Sequence, residues 1–265
     1  MTESDAVPVA DATTSADFVR SLARGLAVIR TFDGDPAELS LAEVARRAAI
    51  PRAAARRFLR TLEQLGYVIA TADARFRLTP RVLELGYGYL SSLSLPEIVQ
   101  PHLDELSHRI GESVSVAVLD GDEIVYVARA AARRIMSVRI TIGTRLPAAV
   151  TSMGRVLLAA LTDAGARLNA ADLVAYTPRT RADRAELLAE LDRVRAQRWA
   201  MVDGELEEGL RSIAVPLHGS AGVAAALNVS TSTARGTAEE VRAELLPALQ
   251  ETASRIDAEL RAARV

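Results

Sequence analysis

Between Ser40 and Pro80 the spacing of apolar residues changes period, and the change predicts a short sequence of elements. Leu41, Val44, Ala45 and Ala48 recur at helical spacing. Ser40 with Glu43 forms a capping box in front of them, each side chain satisfying a free backbone N–H of the first turn. Ile50 is the apolar plug of a tight turn, and Pro51 suits the first position of a second helix, where its missing N–H costs nothing. At roughly 100° per residue, Phe58, Leu62 and Leu65 gather on one side of that helix, and Gly66 ends it at C′. The period then drops to two. Tyr67–Ala70 and Arg75–Leu78 read as strands around Thr71-Ala72-Asp73-Ala74. Helix, turn, helix and hairpin in this order predict a winged helix-turn-helix. Phe18 to Phe32 adds a helix in front, with Leu22, Leu26, Ile29 and Phe32 on its apolar side.

Past the hairpin, Thr79-Pro80 opens another helix. Its Leu83, Tyr87 and Leu90 form a seam suited to joining two domains or two subunits, and Ser91–Ser94 break it. A helix over Pro96–Arg109 follows. Strands Ser113–Leu119 and Glu123–Arg129 come next, turning at Asp120-Gly121-Asp122. Ile135–Ile142 reads as a further strand, and Ser152–Leu161 and Asp183–Gln197 as helices, the second opened by an Asp183…Glu186 box. Strands Ser212–Leu217 and Val223–Ser230 flank His218-Gly219-Ser220-Ala221-Gly222, and a last helix starts at a Thr237…Glu240 box. Antiparallel strands with helices laid against them predict an α+β domain. The expected division is a disordered leader at 1–16, the winged helix-turn-helix at 17–79, a linker helix at 80–94 and a second domain at 95–265.

Charge gives the first domain a purpose. The 265 residues carry a net charge of −2, yet Ser40–Arg81 holds nine arginines against Glu43, Glu63 and Asp73, a net of +6, so the remainder sums to −8. The chain has no lysine, so arginine richness by itself says little. The local asymmetry says more, and it points to an electrostatic footprint for nucleic acid. Arg52, Arg56 and, more loosely, Arg60 lie opposite the apolar side of the second helix, with Arg57 flanking and Ala53 beside them. Guanidinium groups there suit phosphates and guanine edges in a major groove. Arg75 and Arg77 share one face of the hairpin, where they would clamp the sugar-phosphate backbone. Ser21 and Arg24 on the first helix are further candidate phosphate contacts, and plain surface polarity explains each of those two equally well.

Other classes find little support. There are no cysteines, and His102 and His108, six apart, are poorly spaced for a shared metal and are expected on the surface. No run approaches the ~20 apolar residues of a membrane span. The acidic, small-residue N-terminus lacks the plan of a signal peptide, which points to the cytoplasm. Ser152 near Gly154 is not in a nucleophile elbow, no triad spacing emerges and no phosphate loop exists, so neither enzyme activity nor a cofactor is expected. Two stretches do suit a small-molecule pocket. In Gly143–Pro147 with Thr151–Arg155, hydroxyls and amides gather at a helix start, a natural anion site. Ser212 and Ala214, with Asn228 and Ser230 on the neighbouring strand, could face one cavity, although ordinary strand polarity accounts for them as well.

Four segments, SLARGLAVIRTF, LSLAEVARRAAIPRAAARRFLRTLEQLGYV, GTRLPAAVTSMGRVLLAAL and DGELEEGLRSIAVPL followed by ALNVS, resemble the IclR family of bacterial regulators in the same order. ARRIMSVRITIGTRLPA…TSMGRVLLAAL looks most like its PcaR/PobR subgroup, which controls the β-ketoadipate pathway for aromatic acids. The resemblance implies a winged helix-turn-helix joined by a linker helix to a GAF-like effector domain. It implies a homodimer or tetramer on palindromic double-stranded promoter DNA, controlled by a small aromatic or keto acid, with RNA polymerase a candidate further partner. It also implies effector contacts at Ile135, Leu146, Ser152, Met153, Ser212, Ala214, Asn228 and Ser230. Val202 departs from the family pattern, in which a polar or acidic residue is frequent there, and Asp203 is the candidate substitute. Ala148, Ala149 and Val150 make the pocket entrance unusually apolar. The competing classes are an enzyme with an accessory DNA-binding domain and a ligand-blind DNA binder.

Overall fold

The computed structural model describes residues 18–33, 38–71, 73–85, 95–132, 140–170 and 173–263. The chain divides into two units, one ending at Tyr89 and the other starting at Leu90. The expected leader at 1–16 lies outside the described residues, as do Tyr87 and Leu90 of the expected linker seam.

In the first unit the capping box forms as the sequence predicts. Ser40 Oγ accepts the Glu43 amide at 3.3 Å, and Glu43 Oε2 accepts the Ser40 amide at 2.7 Å. Helix α1 runs over Arg20–Arg30, α2 over Leu41–Arg47 and α3 over Arg52–Gln64, with Pro51 at the N-cap, one residue earlier than expected. Strands β1 (Leu39–Ser40), β2 (Val68–Ala70) and β3 (Arg75–Leu78) form an antiparallel sheet in the order β1-β3-β2. Gly66 sits at φ +81°, the left-handed C′ position after α3.

The buried side of α3 is Ala55, Leu59 and Leu62, whereas Leu65 is 51% exposed and Phe58 half-buried. The buried stripe is therefore rotated by about one residue from the expected one, because Leu65 occupies the C-cap where the chain turns away from the helix axis. In α1, Val28 is buried, while the expected core residues Leu22 and Leu26 are exposed. Ala49, in the turn between α2 and α3, has φ 51°, where a Cβ costs about 1 kcal/mol. Ala49→Gly is thus expected to stabilise the first unit by about 0.5–1 kcal/mol, read as a higher urea midpoint by circular dichroism.

The second unit is built on one six-stranded antiparallel sheet. Its strands are β4 (Ser113–Asp120), β5 (Glu123–Ala130), β6 (Arg145–Pro147), β7 (Ala200–Asp203), β8 (Leu210–Gly219) and β9 (Gly222–Ser232), in the order β6-β5-β4-β9-β8-β7. Helices α4 (Leu95–Ile110) and α8 (Ala238–Ala263) cover one face through Leu103, Leu106, Leu249 and Ile256, packed on Val116, Val215 and Leu227. Helices α5 (Ser152–Ala159), α6 (Ala164–Ala170) and α7 (Arg184–Gln197) belong to the other face, where Met153, Leu157 and Leu187 pack with Ala200, Ala214 and Ala226. This is an α+β domain with helices on both sides of the sheet.

The structure corrects two readings of this unit and adds elements that were not expected, β6, α6 and β7. Ile140–Ile142 is not strand: Thr141 and Thr144 close a turn with Gly143 at φ +89°, Gly143 and Thr144 hydrogen-bond to Tyr126 of β5, and the strand itself starts at Arg145. The rest of the expected strand, including Ile135, lies outside the described residues. Strand β7 escapes the sequence pattern because four residues beside Trp199 offer too short a run. His102 is buried, not on the surface, with Nε2 3.0 Å from Glu259 Oε1.

Candidate functional site

Arg52, Ala53, Arg56, Arg57 and Arg60 are all exposed on α3. Among the described residues the guanidiniums of Arg52, Arg56, Arg57 and Arg60 make no ion pair. The α3 face is therefore uncompensated positive charge on a rigid helix whose back is fixed by Ala55, Leu59 and Leu62. Ser21 and Arg24 are exposed on α1. Arg77 is half-exposed, with Glu38 at 3.9 Å.

Arg75 behaves differently from its expected role as a backbone clamp. Its guanidinium turns inward, donating to the Glu38 carbonyl at 2.8 Å and to Glu43 Oε2 at 3.2 Å. It ties the hairpin to the capping box, and the Glu43 carboxyl is held below the usual range, chiefly by the Ser40 amide and hydroxyl and also by Arg75. Alternation placed Arg75 and Arg77 on one face but could not show that an acid on α2 lies within reach of one of them.

In the second unit, strand register brings the polar candidates together. Ser212 pairs across from Ser230 and from Val202, and Asn228 pairs across from Ala214. The side chains of Ser212, Asn228 and Ser230 line a narrow cavity. Ser152 and Met153, at the start of α5, form its roof, and Ser152 Oγ donates to Ser212 Oγ at 2.8 Å. Asn228 Nδ2 donates to Ser230 Oγ at 3.0 Å, whereas its buried Oδ1 receives no hydrogen bond. The walls are apolar: Val150, Val202, Leu206, Leu210 and the ring of Tyr126. Burial pushes the Tyr126 phenol up to about 12, so it is a neutral hydroxyl at physiological pH.

Ala214 and Leu146 do not line the cavity. Ala214 shares the strand face but is buried in the apolar layer beneath the helices, and Leu146 packs on that layer from edge strand β6, opposite Ile124. The expected anion site at the start of α5 is partly used up, since Thr151 Oγ1 caps the helix by accepting the Gly154 amide at 3.1 Å. Asp203 cannot stand in for Val202. Adjacent strand residues face opposite sides, and Asp203 accepts from Arg211 Nη2 at 3.0 Å. Tyr126, Leu206 and Leu210 escape sequence reasoning; Tyr126 depends on a β-bulge between Val116 and Ala117, which no periodicity reveals.

The cavity wall is clamped by a buried ion pair. Arg155, fully buried on α5, donates through Nη1 and Nη2 to both carboxylate oxygens of Glu205 at 2.9 and 2.5 Å, and through Nε to the Ala149 carbonyl at 2.9 Å. Gly154 faces Ala148 so closely that a Cβ there would lie 2.1 Å from its carbonyl oxygen.

A winged helix-turn-helix with a bare cationic helix, in one chain with a sheet domain that encloses a small-molecule cavity, defines a DNA-binding regulator. The chain belongs to the IclR family: residues 21–70 match the IclR helix-turn-helix domain and residues 87–258 the C-terminal domain of bacterial IclR regulators. It is 50% identical over 242 residues to the Pca regulon regulatory protein of Pseudomonas putida, covering 89% of this chain and 82% of that protein. The crystal structure of a transcriptional regulator, RHA06195, from Rhodococcus sp. RHA1 is 54% identical, with a TM-score of 0.82 and coverage of 92% and 98%. An IclR homolog from Microbacterium hydrocarbonoxydans, solved with 4-hydroxybenzoate, is 27% identical at a TM-score of 0.82, covering 91% of this chain and 99% of that one. Among the described residues no helix is long and apolar enough to cross a membrane.

Proposed function

We propose that this regulator responds to an aromatic acid of the protocatechuate/β-ketoadipate branch and controls a catabolic operon. It acts in the cytoplasm as a homodimer or tetramer on palindromic promoter DNA. The observation that carries the reading is the lining of the second unit's cavity, where apolar walls match the faces of a ring in character and Ser152, Ser212, Asn228 and Ser230 gather hydroxyl and amide groups on one side. The similarity to a Pca regulator and to a homolog holding 4-hydroxybenzoate supports it. Two-fold protein symmetry would match the palindrome, and the ligand acts only if it binds two arrangements of the protein with different affinity.

Thermal-shift titration tests the sensor. A hundred-fold excess over Kd adds about 2.7 kcal/mol of stability, so 4-hydroxybenzoate or protocatechuate should raise the melting temperature by several degrees. No gain with any aromatic or keto acid would favour the ligand-blind DNA binder. The DNA face has its own test. Arg52→Ala should cost about 1–3 kcal/mol of operator affinity and relax sequence preference. Arg77→Ala should weaken all sequences alike and lower the salt slope by about one. Unchanged affinity and preference in Arg52→Ala would remove α3 from the groove.

A further inference from the structure

Most buried or half-buried cations of the second unit are neutralised within the chain. Arg155 has Glu205, Arg211 has Asp203, Arg235 has Glu112 and Glu244, and Arg145 has Asp120 and Glu123. Arg129 is the exception to this pattern. It is half-buried on β5, and its guanidinium donates only to hydroxyls, Ser115 Oγ at 3.2 Å and Ser113 Oγ at 3.4 Å. Among the described residues no carboxylate pairs with it. Burial pulls its pKa below the ordinary arginine value, so the fold carries a desolvation cost that no anion of the described chain offsets.

Register places this cation beside the cavity's polar residues, one strand outside its lining. Arg129 stands across from Ser115 and Ser115 across from Asn228; Ser113 stands across from Ser230 and Ser230 across from Ser212. Directly opposed residues share a face, and neighbouring strands lie about 4.8 Å apart. With its guanidinium reaching back over β4, Arg129 is therefore about one strand spacing from Asn228 and Ser230. Tyr126, a cavity wall, lies within its electrostatic reach. These polar residues thus have a fork of donors without an anion on one side and the donor-less Asn228 Oδ1 on the other.

We propose that Arg129 is the carboxylate anchor of the effector cavity, holding a planar carboxylate through its fork while Asn228 Oδ1 accepts from a ring hydroxyl of the same ligand. The assignment rests on the aromatic-acid reading of the cavity. It gives the site a specificity rule: the ligand must be an anion at one end and a hydrogen-bond donor at the other.

The test is calorimetric titration of the full chain with 4-hydroxybenzoate, protocatechuate and the neutral 4-hydroxybenzamide. The unmodified protein should prefer the matching acid over the amide by roughly 100-fold, the scale of a charge-assisted pair in a partly buried site. Arg129→Gln should weaken the acid by about that factor, change the amide by less than about threefold, and so abolish the preference. Ligand-free melting curves report whether each variant folds. Should Arg129→Gln not fold, Arg129→Lys keeps the charge without the fork, and the acid should weaken about tenfold with the amide unaffected. A folded Arg129→Gln or Arg129→Lys protein that keeps the full preference for the acid would overturn the assignment. An unmodified protein that binds acid and amide equally would overturn it too, leaving the aromatic reading intact. If it binds neither 4-hydroxybenzoate nor protocatechuate, the aromatic-acid reading falls, and this assignment with it.

Discussion

Glu205→Ala should destabilise the second unit by about 3–5 kcal/mol, the range for breaking a buried ion pair by removing one partner. The reason is the state it leaves behind. Arg155 is fully buried and aims two N–H groups at Glu205, so truncation strands a cation where neither water nor another carboxylate on α5 can reach it. Glu205 also accepts the Arg181 amide at 3.0 Å, so the loop before β8 loses its own anchor. Glu205→Gln keeps that acceptor and the shape, and should cost less. Urea unfolding followed by circular dichroism separates the two variants. Since Arg155 also holds the Ala149 carbonyl beside the cavity, effector affinity should fall along with stability. A loss below about 1 kcal/mol in Glu205→Ala would mean the pair is far more hydrated than its burial indicates.

Gly154→Ala comes next, with an expected cost of about 3 kcal/mol, the upper end for inserting one methyl group into a filled space. The obstacle is backbone. A Cβ would meet the oxygen, Cα and carbonyl carbon of Ala148 at 2.1, 2.3 and 2.5 Å. No rotamer relieves such an overlap; α5 must move away from the Ala148–Val150 turn. That movement displaces Ser152 and Met153 at the cavity roof, so the melting temperature and the response to 4-hydroxybenzoate should fall together. Retained stability with a normal response would show that the turn is free to shift.

The first unit is legible in the sequence nearly to the residue, because its information is local. Ser40 with Glu43, Gly66 and the alternation through Arg75–Leu78 each act within a few positions, and each forms as read. The errors there are tertiary. Whether Leu65 or Leu59 faces inward depends on where α3 stops, and whether Arg75 points outward depends on Glu43, thirty-two residues earlier. In the second unit, Ser152, Met153, Ser212, Asn228 and Ser230 come to one cavity, since strand parity and a helix start are sequence-readable. Ala214 and Leu146 do not, because parity tells which face a residue takes and not whether a helix covers it there. Arg129 is invisible to the same reasoning. Its interest lies in the absence of a carboxylate partner among the described residues, which no spacing encodes.

A ligand in the second unit that alters how the first unit meets DNA must be felt in both directions, and thermodynamic reciprocity offers the most direct test. 4-Hydroxybenzoate or protocatechuate is titrated calorimetrically into the free protein and into its complex with operator DNA at one salt concentration. Coupled sites require the two effector affinities to differ, by about 5–150-fold for an ordinary allosteric protein. Equal affinities in the presence and absence of operator would contradict the coupling, however tightly the acid binds.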